Sequence, residues 1–530
     1  MSGETPDEDR VRSAEVVGAL CLATDLGMGF PFEHGLQATL IAMRIGERLG
    51  IDAEAASDTY YASLLAHSGC TTDASVSAEV FRGGLTTHVV PVMFGSPREQ
   101  FGGILGAVTT PESAMPARAT QIVRRLPRAA RLQKPHFAAL CEVAESLSEQ
   151  FGLSASVRRL FHHFTERWDG KGVLGRAEGE QIPLALRITH VAMDAAFQRL
   201  VGGSESAVDV IRRRAGHAFD PEVGACLVEN ADEILTVDAD ASAWDQTLAC
   251  EPLPHLTLEG EAIDRALAAM AGFTDLLSPH LAGHSAGVAE LAATAAHGCG
   301  LHPPAVRAVR RAGFVHDIGR VAVSARVWDK AGHLTVDEWE QVRLHPYHVE
   351  RVLARSPFLA ALAPVAGAHH ERLDRSGYHR AAAGAELMAP ARVLAAADAY
   401  HAMTEARPHR DALGKHRAAE VLANEAQLGR LDADAVAAVI EAAGQRAPRL
   451  ARPAGLTERE VEVLRLVARG LQTKRIARAL GISVKTADRH IQNTYGKIGV
   501  STRPAATLFA MEHGLLAWGE LPIAGRHGEP

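Results

Sequence analysis

RAVRRAGFVHDIGRV (residues 307–321) sets a histidine and an aspartate side by side, His316 and Asp317. His284 precedes the pair, and His345, the tandem His369–His370 and Asp398 follow at irregular spacing. Imidazole and carboxylate form the mixed ligand set that first-row transition metals accept at neutral pH. Such a cluster can hold two metal ions bridged by a carboxylate such as Asp317. Paired metals polarise a phosphoryl group and turn bound water into a nucleophile. In a chain with 26 histidines one His-Asp dipeptide carries little weight. The ordered series His-Ser, His-Asp, His-Pro, His-His-Glu-Arg and Ala-Ala-Ala-Asp carries the reading: a metal-dependent phosphohydrolase site, or a relic of one.

The series resembles the HD-GYP family, metal phosphodiesterases that open cyclic di-GMP, over about residues 275–445. The matching elements are HSAGV (284–288), HDIGRVAV (316–323), HPYHVERVL (345–353), HHERLDRSGYH (369–379), ARVLAAADAYHAMT (391–404) and RPHR (407–410). The resemblance implies His284, His316, Asp317, His345, His369, His370 and Asp398 as ligands of two or three divalent metals, iron or manganese. It makes Asp317 and Arg320 the catalytic residues. Arg320 stands where the family carries a lysine facing the substrate phosphate, and a guanidinium grips phosphate by a two-pronged fork. Three departures fall around the substrate. The DGxGYP segment reads Asp374-Arg375-Ser376-Gly377-Tyr378-His379, Gly287 replaces an arginine, and His409 replaces a tyrosine. Arg375 adopts a positive φ less cheaply than glycine, so that loop is expected to be reshaped.

A second signal lies in residues 456–516. Thr457 with Glu460 is a capping-box signature; Val461, Leu464 and Ala468 then line one helical face, and Gly470 closes the helix. Thr473 is expected to cap a second helix and Ser483 a third, in which Ala487, Ile491, Thr494 and Ile498 recur at helical spacing. Pro504 opens a fourth. The segment carries ten Lys or Arg against five Asp or Glu, a net +5 in a chain of formal charge −8. Positive charge is thus concentrated where phosphate contacts would form. Lys485, Arg489, Gln492, Asn493 and Lys497 fall on the outward side of the third helix, with Thr486 near its start and Lys474 on the second. The segment resembles the LuxR-type helix-turn-helix throughout its length, which implies double-stranded DNA as partner and a fourth helix (504–516) that pairs two protomers.

Composition sets the bounds. A length of 530 residues predicts three or four domains, and 47% apolar with 5% aromatic content favours Ala- and Leu-rich helices. The six cysteines form no CxxC pair, which argues against a zinc ribbon or a disulfide framework. The acidic start and the lack of a long apolar run predict a cytoplasmic protein without a membrane span.

The chain also repeats itself. Residues 30–52 parallel 280–302, LLAHSG (64–69) parallels FVHDIG (314–319), TERWDGKG (165–172) parallels HERLDRSG (370–377), and 186–197 parallel 391–402. The first copy has Ser68 for the aspartate of the HD pair, Phe164 and Thr165 for His369 and His370, and Leu140 or Cys141 for His345. His34, His67 and Asp194 survive, and His162–His163 lie two residues early. This copy is expected to lack a binuclear centre. It also carries about 45 extra residues near 71–135, a Gly-, Val- and Thr-rich stretch expected to contain short β-strands.

The expectation is a mainly α architecture. A degenerate HD-type domain covers 10–240, an HD-GYP-like metal domain 255–445, a linker 446–455, a LuxR-type unit 456–516 and a disordered tail 517–530. The functional reading is a homodimeric DNA-binding transcriptional regulator whose metal domain senses a cyclic dinucleotide, with hydrolysis left open. The alternative is a phosphohydrolase of another nucleotide or phosphoester, in which the helix-turn-helix serves location or regulation.

Overall fold

The computed structural model describes residues 9–71, 80–81, 85–110, 114–236, 242–446, 453–513 and 515. Helices dominate these residues, as expected. Their one sheet is a two-stranded antiparallel ribbon, Arg10–Arg12 against Thr257–Glu259. No helix among them is long and apolar enough to cross a membrane. The expected tail, and most of the linker before the helix-turn-helix, lie outside the described residues. By its internal contacts the chain divides into Met1–Gly283 with Asp317–Ala361, and His284–His316 with Leu362–Pro530.

In the first unit the helices His34–Leu49 and Leu184–Arg214 pack together, with Pro221–Glu229 against both. Ile41 and Ile45, one turn apart, meet Ile188, Val191, Ile211 and Leu227 in a buried core. Each such side chain contributes roughly 1.5–3 kcal/mol by leaving water. Gly203 breaks the long helix at φ +81°, a conformation open to glycine, and turns its last part back.

Strands were expected within 71–135. The described residues there are helical instead, chiefly in Pro97–Val108 and the front of Met115–Gln150. Local chemistry explains this. Ser96 and Glu99 form a capping box around Pro97, and the Arg-, Ala-, Leu- and Gln-rich run after Met115 favours helix enough to carry Pro127 inside it.

In the second unit His284–Gly298 packs on Pro303–Val315, Ala389–Met403 and Ala433–Ala442. The same unit holds Glu458–Ala468, Thr473–Ala479, Val484–Ile498 and Arg503–Glu512 around Val461, Leu464, Val467, Ile476 and Ile491. Thr457 and Glu460 form the expected capping box, and Ser483 accepts from the Thr486 amide. Thr473 is not a cap. It is the first helical residue, after Gln472, whose side chain makes no capping bond.

Candidate metal centre and helix-turn-helix surface

The second copy builds its site by locking ring orientations locally. His316 ends Pro303–Val315, and its Nδ1 donates to the Gly313 carbonyl at 2.7 Å. His369 repeats the device on Ala366 at 2.6 Å, and His345 on Val342 at 2.6 Å. A carbonyl only accepts, so each ring carries its proton on Nδ1 and presents the lone pair of Nε2. That is how second-shell partners prepare histidine for a metal. His284 opens its helix with Nδ1 on Glu405 Oε2 at 2.9 Å, the carboxylate version of the same arrangement.

Within the second unit, buried Asp398 gathers the imidazoles. His284 Nε2 lies 3.3 Å from its Oδ1, His316 Nε2 3.8 Å, and His370 Nδ1 3.7 Å from Oδ2. Burial pushes the Asp398 carboxyl up, but His284, His316 and His370 outweigh it and hold the group well below the usual range. His284, His316 and Asp398 offer ligand atoms all within 4.8 Å of one another. Within the first unit, Asp317 Oδ1 lies 3.5 Å from His345 Nε2, and its Oδ2 forms an ion pair with Arg320 Nε at 2.9 Å. Arg320 is buried, with its guanidinium 5.1 Å over the Trp328 ring. The donor set fits divalent transition metals: imidazole Nε2 atoms with a preset tautomer, and carboxylates between them.

The loop at 374–379 corrects an expectation. Arg375 takes φ +66° where the first copy has Gly170 at φ +69°. Asp374 Oδ1 accepts from the Ser376 amide at 3.0 Å, as Asp169 Oδ1 does from Lys171 at 3.2 Å. The turn is retained and Arg375 bears the strain.

The first copy has no metal-ligating cluster among the described residues. His34 stacks on Phe30 at 4.4 Å, and burial drives it down to about 3. His67 is pushed by burial to about 4. Asp194 is met by Arg214 at 2.6 Å and by Gln198 at 3.1 Å. Burial raises the Asp194 carboxyl, and the Arg214 guanidinium opposes that. His162 is half exposed and faces Glu145 at 3.5 Å.

On the helix-turn-helix, Lys474, Lys485, Thr486, Arg489, Gln492, Asn493 and Lys497 are all exposed. Asp488 shares that face. Lys497 departs from the rest: its Nζ holds Glu460 Oε2 at 2.7 Å and the Gly455 carbonyl at 3.0 Å.

The family model described as an HD domain matches residues 105–223 and 272–435, just over half the chain and in two segments. The chain belongs to the HD-domain family. The model for bacterial regulatory proteins of the luxR family matches 454–510, so this HD protein also carries a LuxR-type helical domain. Its relatives include the 3'3'-cGAMP-specific phosphodiesterase 3 of Vibrio cholerae serotype O1. That protein is 29% identical over 418 residues, 77% of this chain and 90% of the relative. The cyclic di-GMP phosphodiesterase response regulator RpfG of Xanthomonas campestris pv. campestris is 35% identical over 146 residues, 27% of this chain and 38% of that one. A crystal structure of a cyclic GMP-AMP specific phosphodiesterase from V. cholerae shares the fold. Its TM-score is 0.56 at 24% identity, over 82% of this chain and 98% of that one.

Sequence reasoning missed Glu405, His401 and Arg407 of this HD protein. Glu405 takes His284 Nδ1, His401 Nδ1 at 3.0 Å and Arg407 Nη2 at 2.6 Å. Burial pushes Glu405 up, yet His284, His401 and Arg407 bring it to about 2. The i,i+4 spacing of His401 and Glu405 was the available signal. Gly287 explains itself here: a Cβ at 287 would sit 2.0 Å from His401 Nε2, so the glycine makes room for that ring.

Proposed function

We propose that the second HD copy is a metal-dependent phosphodiesterase for a cyclic dinucleotide, and that its occupancy sets the DNA affinity of a homodimeric LuxR-type domain. The observation that carries this reading is the set of four histidines, His284, His316, His345 and His369, whose Nδ1 atoms are each committed to an oxygen. His284, His316, His369 and His370 with Asp398 supply one set of ligands, and Asp317 and His345 the other. His316 and Asp317 are consecutive, so one peptide bond joins the two sets. Metal held there would polarise a phosphoryl oxygen and lower the pKa of bound water. Asp317 orients Arg320, and Arg320 offers its remaining guanidinium donors to phosphate. The relatives named as cyclic dinucleotide phosphodiesterases support the substrate class. The ion pair of Arg320 with Asp317 favours a second reading, in which the site binds its nucleotide without turnover.

A physical route to the DNA-binding domain exists within the second unit. Arg465 of the first helix-turn-helix helix reaches Asp434 Oδ2 at 2.8 Å, and Ala433–Ala442 packs on the helix that His284 opens. Occupancy shifts DNA binding only through different affinity for two states, and this contact can differ between them.

Metal-reconstituted protein incubated with cyclic di-GMP or 3'3'-cGAMP should yield linear dinucleotide, and Asp317→Ala should yield none. Absence of product from protein shown to hold metal would move the reading to sensing. For DNA, replacing Lys485 and Arg489 together with Ala should weaken operator binding and flatten its salt dependence by about two units of slope. Unchanged binding would place the recognition surface elsewhere.

A further inference from the structure

The first copy holds a cavity of about 520 Å³ that the phosphodiesterase reading leaves unused. Its position is informative. Among its lining residues are Ala66, His67, Leu140, Cys141, Phe164 and Thr165, which lie in the segments parallel to those that hold His316, His345, His369 and His370 in the metal-bearing copy. Where one copy turns ligands inward, the other turns carbon. The remaining wall is largely aromatic and aliphatic, including Phe81, Phe94, Phe101, Ile104, Phe137 and Phe161. Several of these come from Pro97–Val108 and Met115–Gln150, in or next to the stretch of extra residues in the first copy.

The cavity is large enough for a small-molecule site. An apolar space of this size costs the fold stability unless something fills it. Its formally charged residues are of one sign. No aspartate or glutamate lines it, whereas Arg167 and Lys171 do. Arg167 is committed, forked on Asp169 at 3.0 and 3.1 Å with Nη1 on the Gly95 carbonyl at 2.7 Å. Lys171 Nζ stands 3.8 Å from the same carboxylate and is mostly exposed. Arg167 thus takes the close contacts of Asp169, and Lys171 is the lining cation that meets it only at the longer distance. His67 is held neutral by burial and adds no charge.

We propose that the cavity of the first HD copy binds an amphipathic monocarboxylate, an apolar chain or ring system bearing one acid group, seated where the second copy holds its metal ligands. The apolar body fills the space between the extra helices and Phe164, and the acid meets Lys171. The degenerate copy is then a ligand-binding module in its own right.

The test is isothermal titration of the full-length protein with sodium decanoate, beside decyltrimethylammonium as the charge-reversed probe. One decanoate per chain is expected, with weaker binding of the cation. Ile104→Trp, which fills the cavity, should reduce decanoate affinity by about tenfold or more, the cost of displacing roughly two buried methylenes. Thermal melting shows whether that variant folds. Ala130→Trp, from an exposed position of the long helix that also lines the cavity, gives the same readout at lower risk. Lys171→Gln should weaken decanoate about threefold, the scale of an exposed ion pair, and leave the cation unaffected. No binding would overturn the proposal, as would several molecules per chain insensitive to both tryptophan variants. Equal binding of the two probes would overturn the assignment of an acid group.

Discussion

Two versions of one helical scaffold sit in this chain and solve the same electrostatic problem differently. Each buries an aspartate at the centre of a core helix, Asp194 in the first copy and Asp398 in the second. A buried carboxylate needs a positive partner. Asp398 is surrounded by the imidazoles of His284 and His316, whereas Asp194 is paired with the Arg214 guanidinium. The arginine satisfies the charge permanently, so nothing nearby need be a ligand. The positions parallel to His345, His369 and His370 hold Leu140 or Cys141, Phe164 and Thr165, and a cavity stands there.

The largest test of this contrast is metal content. Asp398→Ala should reduce bound metal to near zero by elemental analysis. Asp194→Ala should leave the metal content intact and cost about 3 kcal/mol of stability, because Arg214 would be left buried without its partner. Equal metal loss from both variants would erase the distinction between the copies.

Acid sensitivity should follow the first copy. Burial lowers His34 to about 3 and His190 to about 4, below their unfolded value of 6.5. The folded state holds these rings neutral while the unfolded chain binds protons. Their contribution is therefore complete above pH 6.5 and is lost as pH falls toward 4, by up to about 3 kcal/mol for each ring. Melting temperatures measured between pH 4 and 7 should drop steeply on the acid side, and His34→Leu should flatten that limb. An unchanged slope would show that His34 is not held neutral.

The smallest effect concerns the loop that both copies share. Arg375→Gly should stabilise the protein by about 1 kcal/mol, since Arg375 holds a left-handed φ that Gly170 holds without strain. A fall in melting temperature would mean that the arginine makes a contact worth more than its backbone cost.

Much of this was legible in the residue order, and for a local reason. The ligand candidates lie in short motifs, and helix starts such as Thr457 with Glu460 are set by atoms three residues apart. The expected strands are absent from the described residues because a Gly- and Val-rich composition was weighed above the capping chemistry at Ser96. Thr473 misled for the opposite reason: a capping residue type sat one position inside the helix. Likewise, Arg375 was expected to reshape its loop, but the hydrogen bonds that Asp374 accepts from Ser376 held the turn and left Arg375 to bear the strain.

The amino-acid order by itself determined the family, the duplication, which copy carries the ligand candidates and where most helices of the LuxR-type domain begin, because each of these is written in spacing or local capping. Only the tertiary structure decided what the ligands' partners are. Glu405 reaches His284 across 121 positions, and Arg214 meets Asp194 because Gly203 turns back a helix that, if straight, would hold them about 30 Å apart. The cavity is of the same kind, since an apolar residue becomes a wall only when distant helices close around it.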